Sequence, residues 1–202
     1  MSARLHLASR SPRRQELLTQ IGVQFDCISF RNPPRDDSEL DETPHEGEDA
    51  RAYVQRVARA KAEHGWRIVN WRNFEQQPVL AADTTIEFEG AIIGKPFDAE
   101  DAEQILHRLS GATHRVLSAV AVSFAGRIES ALSISEVRFR ALDAVDIRRY
   151  VATGEPLDKA GAYGIQGRAG MFVEHLAGSY SGVMGLPLFE TANLLKHFGF
   201  SL

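Results

Sequence analysis

The apolar residues of the chain follow two spacings, one typical of strands and one typical of helices. A short apolar run over 5–8 predicts a strand. Ser11 and Pro12 suit the start of a helix, and Gly22 suits its end. A second strand is predicted over 25–30. The chain therefore begins with a strand, a turn, a helix and a strand.

The middle of the chain alternates between the same two spacings. Apolar residues at helical spacing predict a helix from Tyr53 that closes at Gly65, and "PVLAAD" predicts a short strand after which polar residues begin at Asp83. Residues 86–93 predict a hairpin, and a helix capped by Asp98 follows.

The last part predicts two long paired strands on either side of Ala125 and Gly126, because this stretch is rich in β-branched residues. A helix over 143–153, a glycine-rich loop, a strand over 171–176 and a helix from Leu186 follow. The alternation predicts an α/β fold with a mixed sheet. No repeat or linker divides it, so we expect 1–202 to form a single domain.

Composition excludes several classes of protein. With 23 basic and 27 acidic residues, the net charge of -4 argues against a protein that binds a nucleic acid polymer. No apolar run is long enough for a membrane span, and no signal peptide is expected. The single cysteine, Cys27, is interpreted as an inert, partly buried thiol. A cytoplasmic location is expected.

The first candidate site lies in "LASRSPRRQELL". Ser9, Ser11, Arg13 and Arg14 surround a predicted helix start, where free amide groups and the helix dipole favour a phosphate. The same dipole disfavours arginines unless an anion offsets them. A solvated basic turn is the alternative.

A second group of candidates surrounds "VLAADTT". Asp83 and Thr84 are expected just beyond the carboxyl end of a central strand, where open α/β sheets bind ligands. The alternative is a turn or cap aspartate. Lys95 follows the predicted hairpin and Lys61 lies on a helix edge; each has a solvated lysine as its alternative.

The acidic, proline-rich loop over 31–49 supplies further carboxylates. Asp41 and Glu42 occur in "ELDETP", and their alternative is a role in solubility. Because Mg²⁺ needs few protein ligands beside substrate phosphates, Glu42 with Asp83 would suffice for a metal site.

Glycines recur every third residue in "PLDKAGAYGIQGRAG", a spacing that differs from the dinucleotide-binding motif. Gln166 can both donate to and accept from a base edge, and Tyr163 is a candidate for stacking on that base. A flexible surface loop is the alternative.

Together these motifs resemble the Maf family of nucleoside triphosphate pyrophosphatases. The resemblance covers nearly the whole chain, through "LASRSPRRQELL", "DET" with "VARAKA", "AADTTI", "GKP", "LSGATHRV", "EPLDKAGAYGIQG" and "VMGLP". It implies an elongated mixed sheet of the inosine-triphosphatase type, with two lobes around a cleft. It also implies hydrolysis of a nucleoside triphosphate to a monophosphate and pyrophosphate with a divalent metal, Mg²⁺ or Mn²⁺.

The resemblance also implies a branch within that family. Arg13, Thr84 and Gln166 match the specificity positions of the dTTP/UTP pyrophosphatases, whereas the 7-methyl-GTP branch has Trp, Gln and Glu. Modified pyrimidine nucleotides remain alternative substrates. Ser118 departs from the family pattern, where threonine is common.

The implied mechanism places Asp83 as general base or metal ligand, with Glu42 as second carboxylate. Arg13, Lys95 and Lys61 would neutralise the departing pyrophosphate, while Ser9 and Arg14 hold the phosphates. Two alternatives remain: a nucleotide-binding regulator of cell division and septum formation without turnover, and a structural scaffold. The oligomeric state stays open, with a homodimer among the alternatives.

Overall fold

The computed structural model describes residues 4–28, 30 and 40–202. Seven strands of this described part form one sheet, namely β1 (Arg4–Leu7), β2 (Gln24–Cys27), β3 (Val79–Phe88), β4 (Ala91–Ile93), β5 (Thr113–Phe124), β6 (Arg127–Phe139) and β7 (Val173–Ala177). The helices among the described residues are α1 (Pro12–Gln20), α2 (Ala50–Trp71), α3 (Ala99–Leu109), α4 (Ala144–Val151), α5 (Tyr180–Met184) and α6 (Leu188–Lys196).

The sheet is mixed, as predicted. Its order is β2-β1-β3-β5-β6-β7, and β4 pairs with the far end of β3. Strand β1 is parallel to both β2 and β3, and the other neighbours are antiparallel. Short 3-10 turns over Glu155–Asp158, Ala160–Ala162 and Arg168–Phe172 occupy the predicted glycine-rich loop.

Both predicted hairpins are confirmed, and each has a two-residue turn that ends in glycine. The two-residue turns consist of Glu89 with Gly90 and Ala125 with Gly126, all of which have positive φ. Positive φ at both turn positions gives a backbone twist that matches the twist of the flanking strands. The tight turn fixes the register of β5 against β6.

The two faces of the sheet are covered differently. Helix α2 covers one face, where its Ala58 and Ala62 pack near Ala81 and Ala119. These small side chains let the helix lie close to the strands. The opposite face carries two separate clusters, one formed with α1 and α6 and the other with α3 and α4. The two clusters are the lobes that the resemblance implies.

Helix starts follow the predicted capping residues. The Asp98 carboxylate accepts a hydrogen bond from the Asp101 amide (2.9 Å) at the start of α3. Helix α1 begins after Ser11 with Pro12 in its first turn, as predicted, but the Ser11 side chain makes no capping bond. The Ser9 hydroxyl instead accepts from the Ser11 amide (3.2 Å).

The predicted end of α2 at Gly65 is wrong, because the helix continues to Trp71. A Cβ atom at Gly65 would lie 2.7 Å from Cγ1 of Val79 and 3.1 Å from Cβ of Ala8. Gly65 therefore permits close packing of the helix on the sheet and does not stop the helix.

Two further predictions need correction. The helix predicted from Leu186 is α6, which begins at Leu188 after Pro187; the short helix α5 before it, which ends where Gly185 adopts φ 115°, was not predicted. Cys27 is exposed on the edge strand β2, where partial burial was expected. Desolvation and the Asp26 carboxylate raise the pKa of its thiol, which disfavours the reactive thiolate.

Part of the acidic loop, residues 31–39, lies outside the described residues; residues 40–49 have no helix or strand before α2. Within the described part of the chain, no helix has the length and apolar character needed to cross a membrane.

Candidate active site

A cavity of about 780 Å³ brings together nine of the residues that the sequence predicts for catalysis or binding, but not Asp41. These are Ser9, Arg13, Arg14, Glu42, Lys61, Asp83, Thr84, Lys95 and Gln166. They come from both lobes, from the sheet and from α2. The volume is in the range of a ligand-binding cleft.

The cavity lies where the sheet opens. Strand β1 pairs with β3 only at His6–Val79 and Leu7–Leu80, and β4 pairs with β3 only from Ile86 onward. Among the described residues, no strand pairs with positions 81–85 of β3 on that side. The cleft therefore lies beyond the carboxyl end of β1, in the position expected for ligands of open α/β sheets.

The placement of Asp83 beyond the end of its own strand was wrong. Asp83 lies in the middle of β3, paired with Ala119 of β5. Asp83 reaches the ligand site because the neighbouring strand, β1, ends early. The strand that ends at the cleft is therefore β1 and not β3. An early end of a neighbouring strand cannot be read from the apolar pattern around "VLAAD".

Lys61 joins the two candidate carboxylates. Its Nζ donates to Oε2 of Glu42 (2.7 Å) and to Oδ1 of Asp83 (2.9 Å). The side chains of Lys61 and Asp83 are only 13% and 12% exposed, whereas that of Glu42 is 54% exposed. The Lys61–Asp83 pair is thus fixed in the wall, and Glu42 approaches it from the solvent side.

Tyr53 of α2 holds the backbone of Glu42. Its hydroxyl donates to the Glu42 carbonyl (2.9 Å). Burial raises the pKa of Tyr53 to about 12, and the negative charges of Asp83 and Glu42 act in the same direction. Tyr53 therefore remains a phenol that donates this hydrogen bond.

The two arginines of α1 have different surroundings. Arg14 donates from Nε to the Gly185 carbonyl (2.8 Å) and from Nη1 to the Ser9 hydroxyl (3.3 Å). Burial lowers the pKa of Arg14, and the Asp83 carboxylate opposes that shift. Within the described part of the chain, Arg13 has a single long ion pair, with Asp158 (3.9 Å). Such a pair is weak, so the Arg13 guanidinium remains available to an anionic ligand.

Thr84 lies on the opposite face of β3 from Asp83. The hydroxyls of Thr84 and Ser118 are 2.8 Å apart, and Ser118 donates to the Gly182 carbonyl (2.6 Å). Because the Ser118 proton is used, Thr84 donates to Ser118 and turns its lone pairs to the cavity. The serine that departs from the family pattern thus sets the orientation of Thr84.

Lys95 enters the cavity from the segment after β4. The Gly161 amide donates to the Gly94 carbonyl (2.8 Å), which ties this segment to the glycine-rich loop. Gly161 has φ 69°, and a Cβ there would lie 2.1 Å from Cδ1 of Ile86. Only glycine lets the backbone at 161 lie this close to Ile86. The hydrogen bond from Gly161 then fixes the backbone next to Lys95.

The loop that carries Gln166 is held at both ends. The Tyr150 hydroxyl accepts from the Gly164 amide (3.3 Å) and donates to Oε1 of Glu155 (3.0 Å), while Oε2 of Glu155 accepts from the Arg168 amide (3.2 Å). The exposed Gln166 therefore projects from an ordered backbone. The alternative of a flexible surface loop does not fit these contacts.

Tyr163 does not take the predicted stacking position. Its ring packs edge-on against Phe139 and His114, and its hydroxyl lies 2.8 Å from Nε2 of His114. The ring is 5% exposed and belongs to the core of the α3–α4 lobe. Tyr163 supports the loop and is not free to stack on a base.

Lys159, which was not among the predicted site residues, also lines the cavity. Its Nζ donates to Oδ1 of Asp158 (2.6 Å) and to the Glu155 carbonyl (2.6 Å). Gly164 leaves room for this side chain, since a Cβ there would lie 2.8 Å from Cε of Lys159. The signal was present in "DKAGAYG", where glycines follow a lysine in the motif.

The carboxylates suit a metal ion that is bound jointly by the protein and by substrate phosphates better than one bound by protein ligands alone. Among the residues that the structure describes, no group of three or more His, Cys, Asp or Glu could hold a metal ion. Asp83 and Glu42 provide two hard oxygen donors next to cations that suit phosphate. Mg²⁺ commonly takes one or two carboxylates together with substrate phosphates, and the donor set fits that type of site.

Comparisons with known proteins identify relatives of this chain. A "dTTP/UTP pyrophosphatase" of Aromatoleum aromaticum is 63% identical over 100% of this chain and 98% of that protein. A protein of the same name from Dechloromonas aromatica is 64% identical over 98% of each chain. The solved structure of the Staphylococcus aureus Ham1 protein aligns with TM-score 0.51 at 14% identity, covering 96% of this chain and 97% of the other. This likeness concerns the fold and confirms the predicted inosine-triphosphatase-like architecture. The model of the family described as "Maf-like protein" matches residues 4–198, and the chain belongs to that family.

Proposed function

We propose that this protein hydrolyses dTTP and UTP to the nucleoside monophosphate and pyrophosphate. The observation that carries the proposal is the convergence of Asp83, Arg13 and Lys95 on one cavity. Relatives named dTTP/UTP pyrophosphatase, which match the chain over its whole length, support it.

In the proposed reaction a water molecule attacks the α-phosphorus of the bound nucleotide. The bond from that phosphorus to the bridging oxygen breaks, and pyrophosphate leaves with the electron pair. The proton of the water passes to the carboxylate of Asp83. Oδ1 of this carboxylate is held 2.9 Å from Lys61 Nζ. The alternative role for Asp83 is that of a metal ligand.

In that alternative role Asp83, together with Glu42, would hold a divalent cation, Mg²⁺ or Mn²⁺, which would supply charge neutralisation and a more acidic water when bound. The resting contact of Lys61 with both carboxylates keeps their charges compensated before ligands arrive. With a cation held by the two carboxylates, the Lys61 ammonium would be available to a phosphate oxygen.

The positively charged side chains of the cavity would neutralise the leaving pyrophosphate. Among the described residues, Arg13 has one weak ion pair, with Asp158, and Lys95 has no hydrogen bond or ion pair of its side chain. Ser9 and Arg14 would hold the remaining phosphate oxygens from the start of α1. The triphosphate then offsets the unfavourable position of arginines in the first turn of a helix.

Base recognition is assigned to Gln166 and Thr84. A glutamine amide can donate to a pyrimidine carbonyl and accept from the ring N–H, which a glutamate cannot do. Both side chains line the same cavity as Arg13. Modified pyrimidine nucleotides that keep this edge are included in the proposal.

A nucleotide screen tests the proposed function. Pyrophosphate release should be fastest with dTTP and UTP in the presence of Mg²⁺ or Mn²⁺, and slow with 7-methyl-GTP. Release from modified pyrimidine triphosphates in the same screen identifies further substrates. Binding of dTTP without pyrophosphate release would instead support the regulator of cell division.

The remaining assignments follow from this function. Since the cavity is lined from Ala8 to Gly185, we propose that 1–202 acts as one domain. A cytoplasmic location follows from the nucleotide pool on which such an enzyme acts. Homodimer formation stays a prediction, which sedimentation analysis would test.

A further inference from the structure

The segment that carries Glu42 is bound to α2 by more than Tyr53. Arg56, one turn after Tyr53, donates from Nε to Oε1 of Glu48 (2.7 Å) and from Nη2 to Oε2 (2.8 Å). This is a two-point contact between a planar guanidinium and a carboxylate, the geometry that favours arginine over lysine.

The same guanidinium also binds the backbone on both sides of Glu42. Nη1 donates to the Asp41 carbonyl (2.9 Å), and Nη2 donates to the Thr43 carbonyl (2.9 Å). With the Tyr53 bond to the Glu42 carbonyl, three consecutive carbonyls are held by two side chains of α2. The backbone of residues 41–43 therefore has little freedom.

Glu48 completes the arrangement. Its Oε2 also accepts from the His45 amide (3.0 Å), and its side chain is 11% exposed. The hydrogen bond from Arg56 lowers the pKa of Glu48 to about 2, so the carboxylate stays charged throughout the neutral pH range. The loop between Asp41 and Glu48 is thus closed on itself and fastened to the helix.

From these contacts we infer that Arg56 is a positioning residue, which fixes the backbone of residues 41–43 so that the exposed Glu42 carboxylate stays in contact with Lys61, the residue that also binds Asp83. The inference rests on the proposed function, because it gives Glu42 its part in turnover. Arg56 itself does not line the cavity. It acts on the reaction only through Glu42.

The test compares Arg56→Lys with Arg59→Lys. Lysine keeps the charge opposite Glu48, but one ammonium cannot reach the carboxylate and both carbonyls at once. Arg59 lies on the same helix, contacts the Ser130 hydroxyl (3.3 Å) and does not line the cavity, so it is a matched control. Arg56→Met with Glu48→Gln is a second variant that leaves no buried charge unpaired.

Hydrogen exchange reads the positioning directly. We expect exchange at the amides of Thr43, His45 and Glu48 to accelerate at least about tenfold in Arg56→Lys and to stay unchanged in Arg59→Lys. Unchanged exchange in Arg56→Lys and in the second variant would overturn the inference. This readout does not depend on catalysis.

Kinetics then read the consequence for turnover. Arg56→Lys should lower kcat about tenfold or more with a KM change of less than about threefold, because Glu42 is displaced while the phosphate and base contacts remain. In a Glu42→Gln background the same substitution should change kcat by less than about twofold. An equal loss in both backgrounds would show that Arg56 acts elsewhere and would contradict the inference.

The outcomes separate this inference from the proposed function. If the unaltered protein releases no pyrophosphate from dTTP or UTP, the proposed function fails, and the positioning is decided by hydrogen exchange alone. If it does release pyrophosphate, failure of the Arg56 comparison removes only the inference.

Discussion

Gln166 projects into the cavity from a backbone fixed by Tyr150 and Glu155. Because the loop is ordered, exchange of the Gln166 amide for a carboxylate changes chemistry and leaves the position of the side chain intact. The specificity of the site can therefore be tested at a single atom of one residue.

Gln166→Glu should lower kcat/KM for dTTP and UTP about tenfold, equivalent to about 1.4 kcal/mol, because a carboxylate cannot donate to a pyrimidine carbonyl. Steady-state pyrophosphate release measures the effect. Gln104→Glu, which adds the same charge to the exposed face of α3, should leave both values unchanged. Preserved preference for dTTP over 7-methyl-GTP in Gln166→Glu would remove Gln166 from base recognition.

At the scale of elements, strand β5 supports the glycine-rich loop through His114 and Tyr163. His114 is buried, and burial lowers its pKa from 6.5 to about 4. The unfolded chain therefore binds a proton between these values that the folded chain does not. The contribution of His114 to the free energy of unfolding is therefore complete above pH 6.5 and is lost as the pH falls toward 4.

We expect the free energy of unfolding to fall by up to about 3 kcal/mol from this group between pH 6.5 and 4. Denaturant unfolding over that range measures the slope. His114→Gln should flatten the slope, whereas His107→Gln, on the exposed side of α3, should leave it unchanged. A wild-type slope in His114→Gln would show that another group titrates.

The elements also show what sequence reasoning can and cannot supply. Hairpins were predicted because Gly90 and Gly126 interrupt runs of strand-forming residues, which is a local signal. The continuation of α2 through Gly65 depends on contacts with Val79 and Ala8, which lie far away in sequence. Long-range contact, not local preference, decides that boundary.

The same distinction applies to the site. Motif residues such as Arg13 and Lys95 could be predicted to lie in one site because the family resemblance implies that both contact the same substrate. The mid-strand place of Asp83 and the contacts of Arg56 could not, because they depend on where β1 ends and how residues 40–49 fold against α2. These features are tertiary and leave no periodic pattern.

At the scale of the whole molecule, the cleft combines a cationic wall from α1 with a carboxylate pair at the open edge of β3. Arg13 and Arg14 stand at one lobe, Lys159 and Gln166 at the other, and Asp83 lies on the sheet with which both lobes pack. Cations on both sides of the carboxylate pair are the charge arrangement that suits the triphosphate of the proposed substrate.

The most direct measurement is kcat for pyrophosphate release from dTTP by Asp83→Asn, with Asp26→Asn on the exposed strand β2 as the matched control. Asp83→Asn should lose more than about 90% of kcat, at least about 1.4 kcal/mol, with its fold intact by circular dichroism, while the control keeps full activity. An Asp83→Asn protein that retains more than about a tenth of the wild-type kcat would contradict the role of Asp83 in the reaction.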